Sequence, residues 1–75
     1  MRADKVLREI LAREGLTPIQ ASRKIGHNQG YMAAIFSKKT VPKVSTYAGI
    51  LYPLGYDLVA RSREDGFEFS IDPPE

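Results

Sequence analysis

A mainly α-helical domain followed by a C-terminal antiparallel β-hairpin is the fold class this sequence predicts, and three observations lead to it. Apolar residues recur at helical spacing in four successive stretches between Ala3 and Leu54, glycine or proline interrupts the chain between them, and beyond Gly55 the apolar period shortens to two. Seventy-five residues with 43% hydrophobic content suffice for one compact domain with a modest core.

From Ala3 to Glu14, the apolar Val6, Leu7, Ile10 and Leu11 share one side of a helix, with Arg8, Glu9 and Arg13 on the other. Gly15 suits the left-handed position that ends it. Thr17-Pro18-Ile19-Gln20 carries a second start signal: Thr17 as N-cap, Pro18 at the first helical position and Gln20 completing a capping box. This helix is expected to reach about Ile25, where Gly26 interrupts it. Asn28 is placed to cap a third helix, about Gln29 to Phe36, with Met32, Ile35 and Phe36 on its apolar side. Its other side is made of small or polar residues.

Ser37 to Pro42 reads as a loop, because polar residues run up to a proline that disfavours helix in the residue before it. Val44, Tyr47, Ala48, Leu51 and Leu54 mark a fourth helix whose last turn Pro53 should distort and Gly55 should end. Tyr56, Leu58 and Ala60 then alternate with Asp57, Val59 and Arg61, and Phe67, Phe69 and Ile71 with Glu68, Ser70 and Asp72, as two strands would. Asp65-Gly66 between them is a turn signal. Residues 1–55 thus form a helical part, 56–72 a hairpin, and 73–75 a tail expected to fray.

Composition narrows the function. The chain has no cysteine, and nothing pairs its single histidine with other ligands at metal-binding spacing, so no metal or other cofactor is expected. The apolar runs are far shorter than a membrane span and Met1-Arg2-Ala3-Asp4-Lys5 lacks the apolar core of a signal peptide, which predicts a cytoplasmic protein without a membrane partner. A formal charge of +2 conceals a division: residues 1–55 hold nine basic groups against three acidic ones, whereas residues 56–75 hold two against six. Such asymmetry suits a first part facing a polyanion and a second facing away from it or meeting protein.

Two short helices meeting at a glycine turn form a corner that can press the second helix into the major groove of double-stranded DNA while the first crosses the backbone. At the closest approach Ser22 has to be small, Gly26 supplies the turn conformation, and Ala21, Ile25, Met32 and Ile35 fill the space between the helices. The stretch TPIQASRKIGHNQGYMAAIFSKKTVPKVSTYAGILYPLG resembles the Cro/C1-type, or Xre-like, helix-turn-helix family of phage and bacterial transcriptional regulators. The likeness runs without a gap from about Leu7 to Gly55 and is carried by the joint spacing of Leu16-Thr17, Ser22, Gly26, Ile35, Pro42 and Leu54-Gly55. It implies a lambda-repressor-like helix-turn-helix bundle of four to five helices, its third helix reading a palindromic operator as part of a homodimer. The chain departs from the family where Pro18 replaces a phosphate-touching glutamine, Phe36 a frequent glutamate, and Ser37-Lys38 the usual Asn-Gly.

Carried over residue by residue, the resemblance implies base contacts at Asn28, Gln29, Gly30, Ala33 and Ser37, with Ala34 beside them. Gln29 is best suited to a bidentate contact with adenine, Asn28 next, and the Ala33 methyl can meet a thymine methyl. Lys38, Lys39, Thr40 and Lys43 follow the recognition helix, where the chain in this arrangement passes along the sugar-phosphate backbone, and Thr17, Arg23 and Tyr31 are weaker phosphate candidates. Such contacts make affinity salt-sensitive without conveying sequence information. His27 reads as a turn residue, and Glu64, Asp65 and Glu68 as solvated groups around the hairpin turn, so no catalytic residue is assigned and no enzyme is expected.

A lone hairpin is barely stable in water, so Tyr56, Leu58, Phe67, Phe69 and Ile71 need an apolar cover. Helices of the same chain can supply it, but a partner subunit is favoured, and a dimer would set two recognition helices roughly 34 Å apart. The expected function is a repressor-type transcription regulator. The alternative is an antitoxin-like module that neutralises a protein partner and regulates its own operon.

Overall fold

In the computed structural model, which describes residues 1–38 and 42–74, the chain is mainly helical and ends in a two-stranded antiparallel sheet. The elements are α1 (Ala3–Glu14), α2 (Pro18–Lys24), α3 (Tyr31–Lys38), α4 (Val44–Leu51), one 3-10 turn (Tyr52–Leu54), β1 (Leu58–Arg61) and β2 (Glu68–Ile71). Two compact units divide them, Met1–Pro42 and Lys43–Glu75, so α4 stands with the hairpin.

In the first unit α1 has the bounds its apolar stripe predicts, and Leu7, Ile10 and Leu11 are buried. Asp4 is buried in its first turn, where a negative charge meets the positive end of the helix dipole, and accepts hydrogen bonds from Arg2 Nε and Nη2, each at 3.2 Å. Gly15 ends the helix in the left-handed conformation, φ 68°. The Arg8 guanidinium lies 4.5 Å from the centre of the Phe36 ring and so ties α1 to α3.

The capping box of α2 is complete: the Gln20 N–H donates to Thr17 Oγ1 at 3.2 Å and the Thr17 N–H donates to Gln20 Oε1 at 2.9 Å. A seven-residue helix is nonetheless too short to hold itself together, and its stability has to come from tertiary contacts. Ser22 supplies one. Fully buried, its hydroxyl donates to the Pro18 carbonyl at 2.8 Å and accepts the Met32 N–H at 3.0 Å. Met32 lies in the first turn of α3, where backbone N–H groups lack partners within the helix, so the serine of one helix caps the start of the next. Gly26 makes the turn between them at φ 81°, a conformation that opposes any side chain.

Two expectations for α3 are corrected. It begins at Tyr31, not Gln29, because Asn28 does not cap a helix starting at its neighbour: its Oδ1 accepts the Gly30 N–H at 3.1 Å and its carbonyl the Tyr31 N–H, closing a separate turn. Ser37, assigned to a loop, is helical together with Lys38. The restraint imposed by Pro42 reaches one residue back and leaves them free to continue the helix. Met32, Ile35 and Phe36 form its buried side, and Ile25 is only half-buried.

In the second unit Tyr47, Ala48, Ile50 and Leu51 of α4 and Leu54 of the 3-10 turn are buried. Val44, expected on the same stripe, is 61% exposed, because the buried row centres on Tyr47, Ile50, Leu51 and Leu54 and the first residue of the helix extends past its end. Pro53 lacks the N–H that an α-helical turn would use, and the helix tightens there as predicted. The strands are shorter than the alternation, with Leu58 opposite Ile71 and Ala60 opposite Phe69. Leu58 and Ile71 are half-buried at the end of the hairpin next to α4, whereas Phe67 and Phe69 are exposed, their rings edge to face at 4.9 Å. Of the tail expected to fray, Glu75 lies outside the described residues. Pro73 is half-buried and the Pro74 ring lies over Gly49, where a β carbon would come within 3.7 Å of its Cδ; the missing side chain in α4 leaves the room it occupies.

Ser22→Ala keeps the volume small but leaves the Met32 N–H buried without a partner, and should lower the unfolding free energy by about 1–3 kcal/mol in urea denaturation. An unchanged midpoint would mean that size alone matters at this position. In the hairpin turn, the Phe67 N–H donates to Asp65 Oδ1 at 3.0 Å; this bond, with help from the Ser62 hydroxyl, holds the exposed Asp65 carboxyl below its ordinary 3.8. A depressed folded value means that the turn is stabilised above pH 3.8 and loses that support as pH falls through the lower folded value. Amide exchange at Phe67 should accelerate in that acidic window, and in Asp65→Ala it should already be fast at neutral pH.

Candidate nucleic-acid interface

The apolar side of α3 is turned inward by Met32, Ile35 and Phe36, so the opposite side is outward by geometry. Ala33, Ala34 and Ser37 are exposed there, and Gly30, also exposed, continues the same row at the helix start. The result is a helix face of small side chains, free of branched or aromatic groups. Gly30 carries the first helical bond, accepting the Ala34 N–H at 2.9 Å.

Asn28 and Gln29, both exposed, precede this face. The oxygen of the Asn28 carboxamide is engaged with the Gly30 N–H, which leaves its NH2 group as the available donor. Gln29 offers both a donor and an acceptor at the end of a flexible stem. Lys38 is exposed at the other end of the helix. The expected base-facing residues therefore lie together, along one side of α3 and the turn leading into it.

The expected phosphate-facing residues are more dispersed. Thr17 and Arg23 lie at opposite ends of α2, both exposed; the Thr17 oxygen accepts its capping bond and its hydroxyl proton remains free to be donated. Tyr31 opens α3 and is half-buried. Lys43, exposed just before α4, belongs to the second unit. Lys39 and Thr40 lie outside the described residues. From Gly15 to Lys43 the sequence has five basic residues and no acidic one, so every carboxylate of the first unit lies on α1.

Two features escape a reading of the sequence. The Ser22 hydroxyl is a structural bridge, where the sequence shows only that the residue is small. His27, exposed in the turn, lies flat on Tyr31, with ring centres 3.9 Å apart and planes 6° from parallel. Their separation of four residues is the signal that could have revealed the pair.

Among the described residues no group of three or more His, Cys, Asp or Glu side chains is placed to hold a metal ion, and no helix is long and apolar enough to cross a membrane. The expected dimerisation residues divide: Tyr56, Leu58 and Ile71 are half-buried within the chain, and Phe67 and Phe69 remain open. Compared with family models, curated proteins and solved structures, the chain matches none.

If the outward face of α3 is free of packing duties, Ala33→Gln and Ala34→Gln should each leave the unfolding free energy within about 0.5 kcal/mol of the parent. A larger loss in urea denaturation would mean that this face is covered.

Proposed function

We propose that this protein is a sequence-specific, double-stranded-DNA-binding transcription regulator of the helix-turn-helix type, a cytoplasmic repressor and not an enzyme. The observation that carries the reading is the bridge of Ser22 from α2 to Met32, which joins two short helices at a glycine turn while the small-residue side of α3 stays open. A helix bearing Gly30, Ala33 and Ala34 can bring its backbone close to base edges, and the amides of Asn28 and Gln29 lead into it. Lys38 and Arg23 supply charge for phosphates. Direct readout from so few hydrogen-bonding side chains is modest, which favours a homodimer on a palindromic operator, each half-site supporting the other.

The exposed Phe67 and Phe69 rings, on a hairpin rich in carboxylates, favour a second reading in which the hairpin binds a protein partner, as an antitoxin does.

Fluorescence anisotropy on duplex DNA from upstream of the protein's own gene, with random duplex as control, tests the proposal. Gln29→Ala should cost about 1–3 kcal/mol on the preferred duplex and leave random DNA unaffected. Lys38→Ala should weaken both and reduce the salt slope by about one. Equal and feeble binding to the two duplexes would sink the regulator reading and turn attention to the hairpin.

A further inference from the structure

On the DNA-binding reading just given, we propose that His27, held flat against Tyr31, is a proton-linked contact for a phosphodiester. A parallel stack at 3.9 Å occupies one face of the imidazole and leaves both nitrogens on its rim. Neither has a hydrogen-bond partner among the described residues. The ring is therefore positioned by packing, with its edge open to solvent. Neutral imidazole presents one donor and one acceptor, and the acceptor is repelled by a phosphate oxygen; imidazolium presents two donors and a positive charge. Histidine changes between these forms in the neutral range.

The charges around the turn suit an anion there. The end of α2 brings Arg23 and Lys24 near the turn and the start of α3 brings Tyr31, all uncharged or positive, while Lys38 lies at the far end of α3. The carboxylates of this unit, Asp4, Glu9 and Glu14, all belong to α1, and Asp4 is paired with Arg2. No acidic residue of α2, the turn or α3 can hold an imidazolium in place. An external anion can do so, and its approach to the basic end of α2 would draw a proton onto His27. The turn also adjoins Asn28 and Gln29, so a phosphate held at His27 would fix the amides over the bases beside it. Tyr31 acts through His27 as a positioning residue.

The chain has one histidine, so its imidazole resonance needs no assignment. The intact protein should be titrated by NMR across the neutral range, free and with the fluorescein-labelled upstream duplex, and the affinity of that duplex measured at about pH 6 and about pH 8 at fixed ionic strength. The expected result is a rise of the imidazole pKa on DNA, with binding about threefold to tenfold tighter at the lower pH. His27→Gln should bind with an affinity independent of pH, and Tyr31→Phe, which keeps the stack, should retain the pH dependence. Binding that is the same at both pH values, with an imidazole indifferent to DNA, would overturn this proposal and leave the regulator reading standing. Dependence on pH that survives His27→Gln would overturn it as well. Failure to bind at either pH would remove both.

Discussion

The hydrogen bond from the Met32 N–H to the buried hydroxyl of Ser22 is the constraint on which the rest of the first unit depends. α2 and α3 have seven and eight residues, lengths at which helices do not persist in water by themselves. Each needs the other, and the serine joins them at the point where both are weakest. By donating to the Pro18 carbonyl the hydroxyl is oriented toward α3, so the bond also fixes how the two helices meet. A buried donor without an acceptor costs more than a formed bond contributes, which penalises any other arrangement of the corner.

With the corner held in this way, the outward side of α3 is free of structural duties. Alanine is the best helix former, so Ala33 and Ala34 support a short helix while presenting almost no side chain. On the proposed reading, close approach to DNA and the need of a short helix for high propensity call for the same residues. The glycine at the helix start fits this pattern: Gly30 has no left-handed backbone and a β carbon there would meet only Asn28 Oδ1, at 3.8 Å. Glycine is also acceptable at a helix start, so its small size is compatible with both structure and approach.

What was legible in the sequence was whatever is decided locally. Thr17 and Gln20 are three residues apart and cap each other without outside help, Gly15 ends α1 by its own backbone freedom, and Pro53 distorts α4 by lacking an N–H. The open residues of α3 were legible by subtraction, because the apolar period marks the inward side. The start of α3 was not. Asn28 can serve a helix or a turn with the same oxygen, and the choice fell to a turn where Ser22, ten residues from Met32, already served the helix. The meeting of Pro74 with Gly49 was hidden for a similar reason, since the two lie far apart along the chain. The stack of His27 on Tyr31 escaped because its four-residue spacing, the one signal for it, falls across a turn and not within a helix.

The hairpin presents a different balance of forces. Its apolar face is half-buried at one end, at Leu58 and Ile71 beside α4, and open at the other, where the exposed Phe67 and Phe69 rings meet edge to face. Two exposed rings on so small a unit are a cost in water unless something covers them, and both strands retain an unpaired edge. The carboxylates of this segment make it a poor partner for a polyanion. Its open aromatic end is then free for protein. On the proposed dimeric reading a second copy is one such cover, and pairing would offset the few hydrogen-bonding side chains that a single α3 face offers.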